Sequence, residues 1–359
     1  MKKKKKRSIF YPVYFLLIAV FLIALHIGLR YVRVILADYE TAQPQYEAER
    51  VFQTYYADGS FDRLVNAAAS VPLTPYEDKD AVAAYLRTYT TGKDISYSSI
   101  STGLDDVRKY IVKADDVKFS AFTIRPGEKK TEKGFALYEL DTIELYCAGQ
   151  ESVRITVPKG DSVYVNGRLL GDEALTGDRT EHESCAHMSP GVEGIVFVTY
   201  AADGLYLPPA SVEVREPGGT EVPLTQDADG SYSAPIVYSE SLRAEYSEYV
   251  VAAAQALAAY MQNDAGFYRA AAYIDPNSEL YENTRLTETY FVIDHSSYEF
   301  QDVETSEFYA YDPDTFSCRV TMIHVLHRIG SADYRDYIDT TFYLRRVGEQ
   351  YLMYDRLNH

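Results

Sequence analysis

Residues 158–173, "PKGDSVYVNGRLLGDE", carry the strongest turn signal in the chain. Two short apolar runs, Val163–Val165 and Leu169–Leu170, flank the pair Asn166-Gly167. Both central residues of a type I′ turn need a positive φ, and Asn and Gly tolerate it. The stretch therefore predicts a tight β-hairpin within a small sheet.

The surrounding segment, residues 150–238, shows little helical periodicity. Its short apolar runs alternate with Asn-Gly, Asp-Gly, Gly-Gly and proline turns, a pattern typical of a small β module. We therefore expect residues 150–238 to form an all-β module that spaces two longer segments.

The two longer segments, residues 38–149 and 241–359, share one order of elements. In each, stretches with helical spacing of apolar residues come first, and long strands with a polar turn between them follow. Helices followed by antiparallel strands predict an α+β domain with the helices packed on one face of the sheet. In the second segment, residues 284–294 fit either a third helix or a strand.

The N-terminus predicts a transmembrane helix over residues 9–33, after a cytoplasmic tail of residues 1–8. No charged residue occurs from Ile9 to Leu29, and about 20 apolar residues cross a bilayer core. Lys2–Arg7 place six positive charges before the span, whereas only two basic residues follow it closely. The positive-inside bias puts the N-terminus in the cytoplasm and the bulk of the chain outside.

A cleaved signal peptide is the alternative interpretation of this N-terminus. It has the same order of charges, but the apolar run is longer than the hydrophobic region of a typical signal peptide. Arg30 and Arg33 also separate the run from the nearest small-residue cleavage site, near Ala37. We favour an uncleaved, single-pass anchor in the cell membrane.

Composition limits the partners and the covalent cross-links. The chain carries a net charge of −18, and its first 33 residues contain eight Lys or Arg and no Asp or Glu, which leaves −26 for residues 34–359. A charge of that sign argues against a nucleic-acid partner. Three widely spaced cysteines, Cys147, Cys185 and Cys318, form no disulfide framework, and their spacing does not select a bridged pair.

The stretch "EHESCAHM", residues 181–188, concentrates His182, Cys185 and His187. Its H-E-x-x-x-H spacing differs from the H-E-x-x-H pattern, in which two histidines share a helix face and bind zinc. A loop that gathers the three side chains around one metal ion is the weaker alternative. We favour a surface loop with solvated histidines, and we expect no metal and no cofactor.

The opening stretch resembles the PEGA-type surface module, in which a strand, a "V-x-V-N-G" or "V-x-V-D-G" turn and a glycine follow one another. The flanking segments resemble NTF2-like domains, which place helices before a curved antiparallel sheet. The ending "YLRRVGEQYLMYDRLN" is similar to the last hairpin of that fold, whose final strand often reads "W-x-V-x-D". Here Tyr351, Met353 and Asp355 occupy those positions, and the missing tryptophan departs from the pattern.

The whole layout resembles membrane-anchored envelope proteins of Firmicutes, of the broad kind that includes the teicoplanin-resistance-associated membrane protein. Those proteins often carry a cytoplasmic zinc ribbon, which this chain lacks. The resemblance implies an envelope role and an α+β architecture. In that architecture, two NTF2-like domains follow the transmembrane helix and are separated by the small β module.

An NTF2-like domain also implies a pocket between its helices and its sheet. In the second domain, the candidate pocket residues are Tyr290, Asp294, His295 and Tyr298. A polar turn at a helix–strand junction is the interpretation that we prefer for them. A general base needs a pKa shifted by burial, which a sequence does not show.

We therefore expect a non-enzymatic binding or scaffold protein that holds an envelope component or another membrane protein. The first alternative is an enzyme, such as an isomerase, dehydratase or hydrolase, that uses an NTF2-like pocket. The second alternative is a ligand-sensing subunit that reaches a membrane partner through its transmembrane helix.

Overall fold

The fold is known from a computed structural model, which describes residues 10–100, 106–287 and 292–359. It is a mixed α+β architecture with a long apolar N-terminal helix and several antiparallel sheets. The chain divides into two compact units. The first unit comprises Met1–Ser152 and Asp203–Pro208, and the second comprises Val153–Ala202 and Pro209–His359. The predicted division into three extramembrane domains stays a prediction.

Helix α1, Phe10–Thr41, is the long apolar element. Its stretch Pro12–Thr41 has a mean hydropathy of 2.4, and none of the most apolar window is buried. A helix of that length and composition suits a membrane anchor or a signal sequence. It extends beyond the predicted end at residue 33, and at its end an Asp38 carboxylate oxygen accepts a hydrogen bond from the backbone N–H of Lys133 at 2.9 Å.

In the first unit, three helices precede a four-stranded antiparallel sheet. The helices are α2 Pro44–Tyr55, α3 Asp62–Ala67 and α4 Lys79–Thr90. The strands, in spatial order, are β1 Ile95–Ile100, β2 Arg108–Ala114, β3 Val117–Lys130 and β4 Ala136–Leu145. Buried side chains of the helices and the sheet, such as Leu86, Phe122 and Ile143, form one apolar core. The predicted order of helices before strands is confirmed here.

The segment Asp203–Pro208 completes that first core, although it lies far along the chain. The Tyr206 hydroxyl donates to the carbonyl oxygens of Pro72 and Cys147 at 3.0 and 3.2 Å. The buried carboxylate of Glu77 accepts the backbone N–H of Tyr206 at 2.9 Å and that of Leu207 at 3.3 Å. A charge-assisted bond to backbone therefore holds the returning segment in place.

Two small sheets occupy the segment that the sequence assigns to a β module. Its strands are β5 Glu151–Pro158, β6 Ser162–Val165, β7 Arg168–Leu169, β8 Leu175–Glu181, β9 Val196–Leu205, β10 Val212–Arg215, β11 Glu221–Val222, β12 Thr225–Gln226 and β13 Tyr232–Ser233. Their spatial orders are β11-β10-β6-β7 and β12-β13-β5-β9-β8. Two short 3₁₀ helices interrupt the strands, at Asp172–Ala174 and Glu183–His187.

The tight hairpin predicted at Asn166-Gly167 is confirmed. Asn166 has φ 51° and Gly167 has φ 73°, as a type I′ turn requires. The flanking pairs are Tyr164 with Leu169 and Val165 with Arg168. The Asn166 side-chain oxygen also accepts the backbone N–H of Ala210 at 2.8 Å, which ties the turn to the strand region that follows.

The C-terminal part of the second unit repeats the order of helices and then strands. The helices are α5 Glu240–Met261, α6 Phe267–Ala271 and α7 Glu279–Leu286. The antiparallel strands, in spatial order, are β14 Ser297–Asp312, β15 Thr315–His327, β16 Tyr334–Val347 and β17 Gln350–Asn358. Of the stretch 284–294, for which the sequence fits either a helix or a strand, the first residues belong to the end of α7. Ser278 caps the start of this helix by accepting the Tyr281 N–H at 3.1 Å.

The helices of this part pack on one face of the sheet. Leu257 of α5 lies in one apolar core with Phe342 and Leu344 of β16, and Cys318 of β15 is fully buried there. Burial raises the pKa of the Cys318 thiol, so it is an inert core residue. All three cysteines are free.

Candidate functional site

The residues predicted to line a pocket lie near the start of β14. Tyr290 is outside the described residues, and Asp294 is exposed. The His295 side chain is 6% exposed. The Tyr298 ring meets the ring of His324 edge-to-face, with centroids 5.3 Å apart. The structure therefore brings His295 and Tyr298 beside a third residue, His324, that the prediction did not include.

His295 is held by two acceptors. Its Nε2 lies 2.9 Å from an Asp264 carboxylate oxygen, and its Nδ1 lies beside the Ile293 carbonyl oxygen. Because both partners only accept, both ring nitrogens must carry hydrogen, and the ring is an imidazolium. Burial opposes the charge, but the Ile293 carbonyl and the Asp264 carboxylate outweigh it, so the pKa of His295 is raised. A histidine that keeps both protons suits an ion pair better than a general base.

His324 is buried without polar contacts. The residue is fully buried and stacks on Phe300, with centroids 4.6 Å apart. Neither ring nitrogen has a hydrogen-bond partner among the described residues. Burial lowers the pKa of His324, although the charges of Asp264 and Asp336 work against that shift. The ring is therefore neutral near pH 7, with polar nitrogens in an apolar site.

The three residues considered as metal ligands turn to three different partners. The His182 ring nitrogen accepts the Ser184 N–H at 3.2 Å and caps the short helix Glu183–His187. The Cys185 thiol donates to the Ile195 carbonyl oxygen at 3.3 Å. The Nδ1 of His187 lies 3.2 Å from an Asp355 carboxylate oxygen. Across the part of the chain that the structure describes, no group of three or more His, Cys, Asp or Glu side chains is placed to hold a metal ion.

His187 also differs from a solvated surface histidine. Its ring stacks on Tyr343 of β16, with centroids 4.9 Å apart and planes 13° apart, and its side chain is only 20% exposed. Sequence could not show this packing, because 156 positions separate the two residues along the chain.

A cavity of about 500 Å³ lies against the edge strand β17. It is bordered by the loop after the second 3₁₀ helix, by α7 and the residues just before and after it, by the end of α5, and by residues of β16 and β17. Its lining residues are His187, Met188, Ser189, Pro190, Met261, Asn277, Ser278, Glu279, Leu280, Asn283, Thr284, Thr287, Arg345, Tyr354, Asp355 and Arg356. The size is within the range of small-molecule sites, about 300–1,000 Å³. The lining is rich in hydrogen-bonding side chains.

A second cavity, of about 360 Å³, lies between α5 and β16. Met261 and Arg356 line both cavities. Because Arg356 borders the two spaces, its guanidinium is the charged group that both cavities share.

Arg345 is committed to a structural role in the wall of the larger cavity. It forms an ion pair with Asp275, whose side chain is 2% exposed. Its guanidinium also donates to the Ser189 hydroxyl at 3.3 Å and lies 5.3 Å from the centre of the Tyr354 ring. The buried Asp275 carboxylate additionally accepts the Asn277 N–H at 2.9 Å. These bonds fix the loop before α7 to strand β16.

Arg356 differs from Arg345 because its guanidinium has no such partner. Within the described residues, no hydrogen bond or ion pair of the Arg356 side chain occurs. Burial lowers its pKa, and the neighbouring Asp355 charge opposes that shift. An arginine remains charged in proteins, so the cavities share a partly buried cation without a direct counterion.

A β-bulge places Arg356 on the inner face of the sheet. Tyr343 pairs with Asp355 and Leu344 pairs with Met353, which leaves Tyr354 as the extra residue. After the bulge, Arg356 stands opposite Phe342, whose side chain lies in the core beneath the helices. The bulge therefore reverses the inward and outward alternation along β17.

The comparisons with known proteins are sparse. No family model and no curated protein matches the chain. Among solved structures, the chain is similar to an Ntf2-like protein involved in plasmid conjugation, at 8% identity and a TM-score of 0.24, covering 74% of this chain and 77% of the other. It is also similar to Bd1075 of Bdellovibrio bacteriovorus, at 13% identity and a TM-score of 0.24, covering 67% and 88%.

Sequence reasoning missed Arg356 and its neighbours for a physical reason. Strict alternation starting from the buried Met353 would put Asp355 on the inner face and Arg356 outside. The bulge at Tyr354 exchanges the two. In "YLMYDRLN", Arg356 directly follows Asp355 and precedes Leu357, so the residue pattern alone does not show which of the two charged residues faces inward.

Proposed function

We propose that the protein is a single-pass, membrane-anchored binding protein of the cell envelope, with its bulk outside the cytoplasm. The observation that carries the proposal is the cavity at β17, which is of ligand size and is lined by Arg356, an arginine whose side chain forms no hydrogen bond or ion pair within the described residues. The exposed apolar surface of α1 and the basic residues before it support the anchor and its orientation.

We also propose NTF2-like folds for residues 38–149 and 241–359, and a PEGA-like module between them. Each flanking segment supports this by placing helices before a four-stranded antiparallel sheet whose strands are neighbours in chain order. The Asn-Gly hairpin within the short-stranded segment supports the module between them.

A binding role fits these residues better than catalysis. The titratable dyad nearest the predicted pocket, His295 with Asp264, is an ion pair in which the histidine already holds both protons. The carboxylate of Asp355 is engaged by His187 and by the Arg356 backbone N–H at 2.7 Å. These groups orient a surface; they do not form a nucleophile–base pair.

The test uses the full chain in its own membranes. Alkaline carbonate washing should leave the chain in the membrane pellet, and added protease should digest a C-terminal tag only from the outer face. Native mass spectrometry of the detergent-purified chain should then show a bound small molecule.

The matched variants for this test are both on α7. Asn283→Trp puts a large side chain in the cavity lining and should remove the bound molecule, whereas Glu282→Trp, beside it but outside the cavity lining, should keep it. Release of the chain by carbonate would contradict a membrane anchor and favour a signal sequence as the interpretation of α1. Equal occupancy in both variants would contradict the cavity as the binding site.

A further inference from the structure

We propose that Arg356 is the anchor for an anionic group, a carboxylate or a phosphate, of a small ligand that enters the cavity at β17. The inference rests on the proposed binding function and adds the chemical class of the ligand.

The first step is the accounting of charges in the cavity wall. Arg345 already has Asp275 as its counterion, and the His187 ring already contacts the Asp355 carboxylate. Arg356 is the lining cation without an ion pair or hydrogen bond among the described residues. Two carboxylates, Glu279 and Asp355, line the same cavity, so a new anion gains most by meeting Arg356, because Arg345 would have to give up its existing partner.

The second step is the cost of leaving Arg356 as it stands. The partly buried Arg356 guanidinium is incompletely hydrated and has no direct protein acceptor within the described residues, and removing a charge from water is costly. Two parallel N–H donors match the geometry of carboxylate and phosphate oxygens. A bound oxyanion would thus supply the hydrogen bonds that the folded chain does not.

The third step is the surrounding wall, which favours a small ligand with further polar groups. The side chains of Ser189, Asn277, Asn283 and Thr287 line the same space, and each offers a hydrogen bond. The bulge at Tyr354 places Arg356 on the inner face of a paired strand, so the backbone that carries the anchor is fixed before ligand arrives. Preorganisation of this kind lowers the entropic cost of binding.

The test titrates the full chain in mild detergent with two probes, inorganic phosphate and succinate. Sodium chloride at matched ionic strength is the control. Thermal unfolding reports binding, since a ligand of the folded state raises the midpoint in a saturable manner. We expect saturable stabilisation by at least one probe, and the two arms distinguish a phosphate ligand from a carboxylate ligand. Arg356→Met should raise the dissociation constant at least tenfold, and Arg356→Lys should lie between.

The matched control is Arg243→Gln, an exposed arginine of α5 whose ion pair with Glu240 is on the surface. It should leave the dissociation constant unchanged. Should Arg356→Met fold poorly, phenylglyoxal modification of the wild-type chain gives the same answer: saturating probe should protect Arg356 and leave Arg243 reactive.

Three results would overturn the inference. Phosphate, succinate and chloride could act alike at equal ionic strength, Arg356→Met could bind as tightly as wild type, or Arg356 could stay reactive with saturating probe. If the Asn283→Trp variant nonetheless loses its co-purified molecule, the binding function stands and the anion assignment alone fails. If neither Arg356→Met nor Asn283→Trp weakens binding, both the anion assignment and the binding function of the cavity fail.

Discussion

Replacing His324 by phenylalanine should stabilise the second unit, although it removes a buried side chain. His324 is fully buried, stacks on Phe300 and leaves both ring nitrogens without partners among the described residues. Phenylalanine has a similar ring and no polar atom, so the stacking remains. Since a buried unsatisfied polar group costs about 1–3 kcal/mol, we expect a gain of about 1 kcal/mol at pH 7.5 after imperfect repacking.

The gain should increase as the pH falls. The pKa of His324 lies below 6.5 in the folded chain and near 6.5 in the unfolded chain. Below pH 6.5 the unfolded chain therefore binds a proton that the folded chain does not, and stability falls by up to about 1.4 kcal/mol per pH unit until the folded pKa is reached. The phenylalanine variant lacks this loss.

Neighbouring groups have to be separated from this effect. The raised pKa of His295 contributes stability below pH 6.5 that is lost as the pH rises through its folded pKa. Burial raises the pKa of Asp161 to about 6, so that residue favours the folded state as the pH falls through 6. Because both groups are present in both proteins, their own contributions cancel in the difference between wild type and variant at each pH, and that difference reports His324 together with its charge interaction with His295.

The assay follows the core that surrounds Cys318. This thiol is buried in the same sheet, so a short pulse of maleimide in a urea series labels it only when that core opens, and peptide mass spectrometry separates it from Cys147 and Cys185. The series is run at pH 7.5, 6.5 and 5.5 on the full chain in detergent. A variant that is less stable at pH 7.5, or a difference that does not change with pH, would refute the reasoning.

Substitutions at three further positions test separate features. Asp275→Ala leaves the partly exposed Arg345 without its counterion and should cost about 3 kcal/mol by the same labelling assay, whereas Asp275→Asn should cost less. Asn166→Ala keeps a β-carbon at φ 51° without the tolerance that asparagine has for this conformation, and it strands the Ala210 N–H, so it should cost about 1–2 kcal/mol in thermal unfolding; Asn166→Gly relieves the backbone but also loses that hydrogen bond, so it should cost less than alanine without reaching wild type. Glu77→Ala strands the N–H groups of Tyr206 and Leu207 and should cost about 2 kcal/mol; an unchanged midpoint would contradict the carboxylate's role.

Local periodicity was enough to predict much of the fold. Three features depend on residues close in sequence. They are the helical spacing of apolar residues in the helices up to α4, the strand pattern of apolar residues in β15 and β16, and the Asn166-Gly167 turn. The long apolar run likewise predicted α1, although the helix extends to Thr41, and Asp38 near its end accepts the Lys133 N–H of the β3–β4 turn.

The candidate site depended on contacts that are distant in sequence. The residues proposed for a pocket, Asp294 and His295, form a polar junction and an ion pair, while Arg356 reaches the cavity through a one-residue bulge. The stacking of His187 on Tyr343 is equally remote. A bulge changes the side of every following residue, and nothing in the residue pattern marks its position.

The path of the chain through the first unit restricts how the protein can be divided. The chain leaves that unit after Ser152, returns for Asp203–Pro208 and leaves again. A recombination event that transferred residues 38–149 as one cassette would omit Tyr206, which is 2% exposed in the first core of this protein, and would leave Glu77 without its backbone donors. We therefore expect productive exchange to require a segment that reaches beyond residue 208, so that part of the second unit is inherited together with the first.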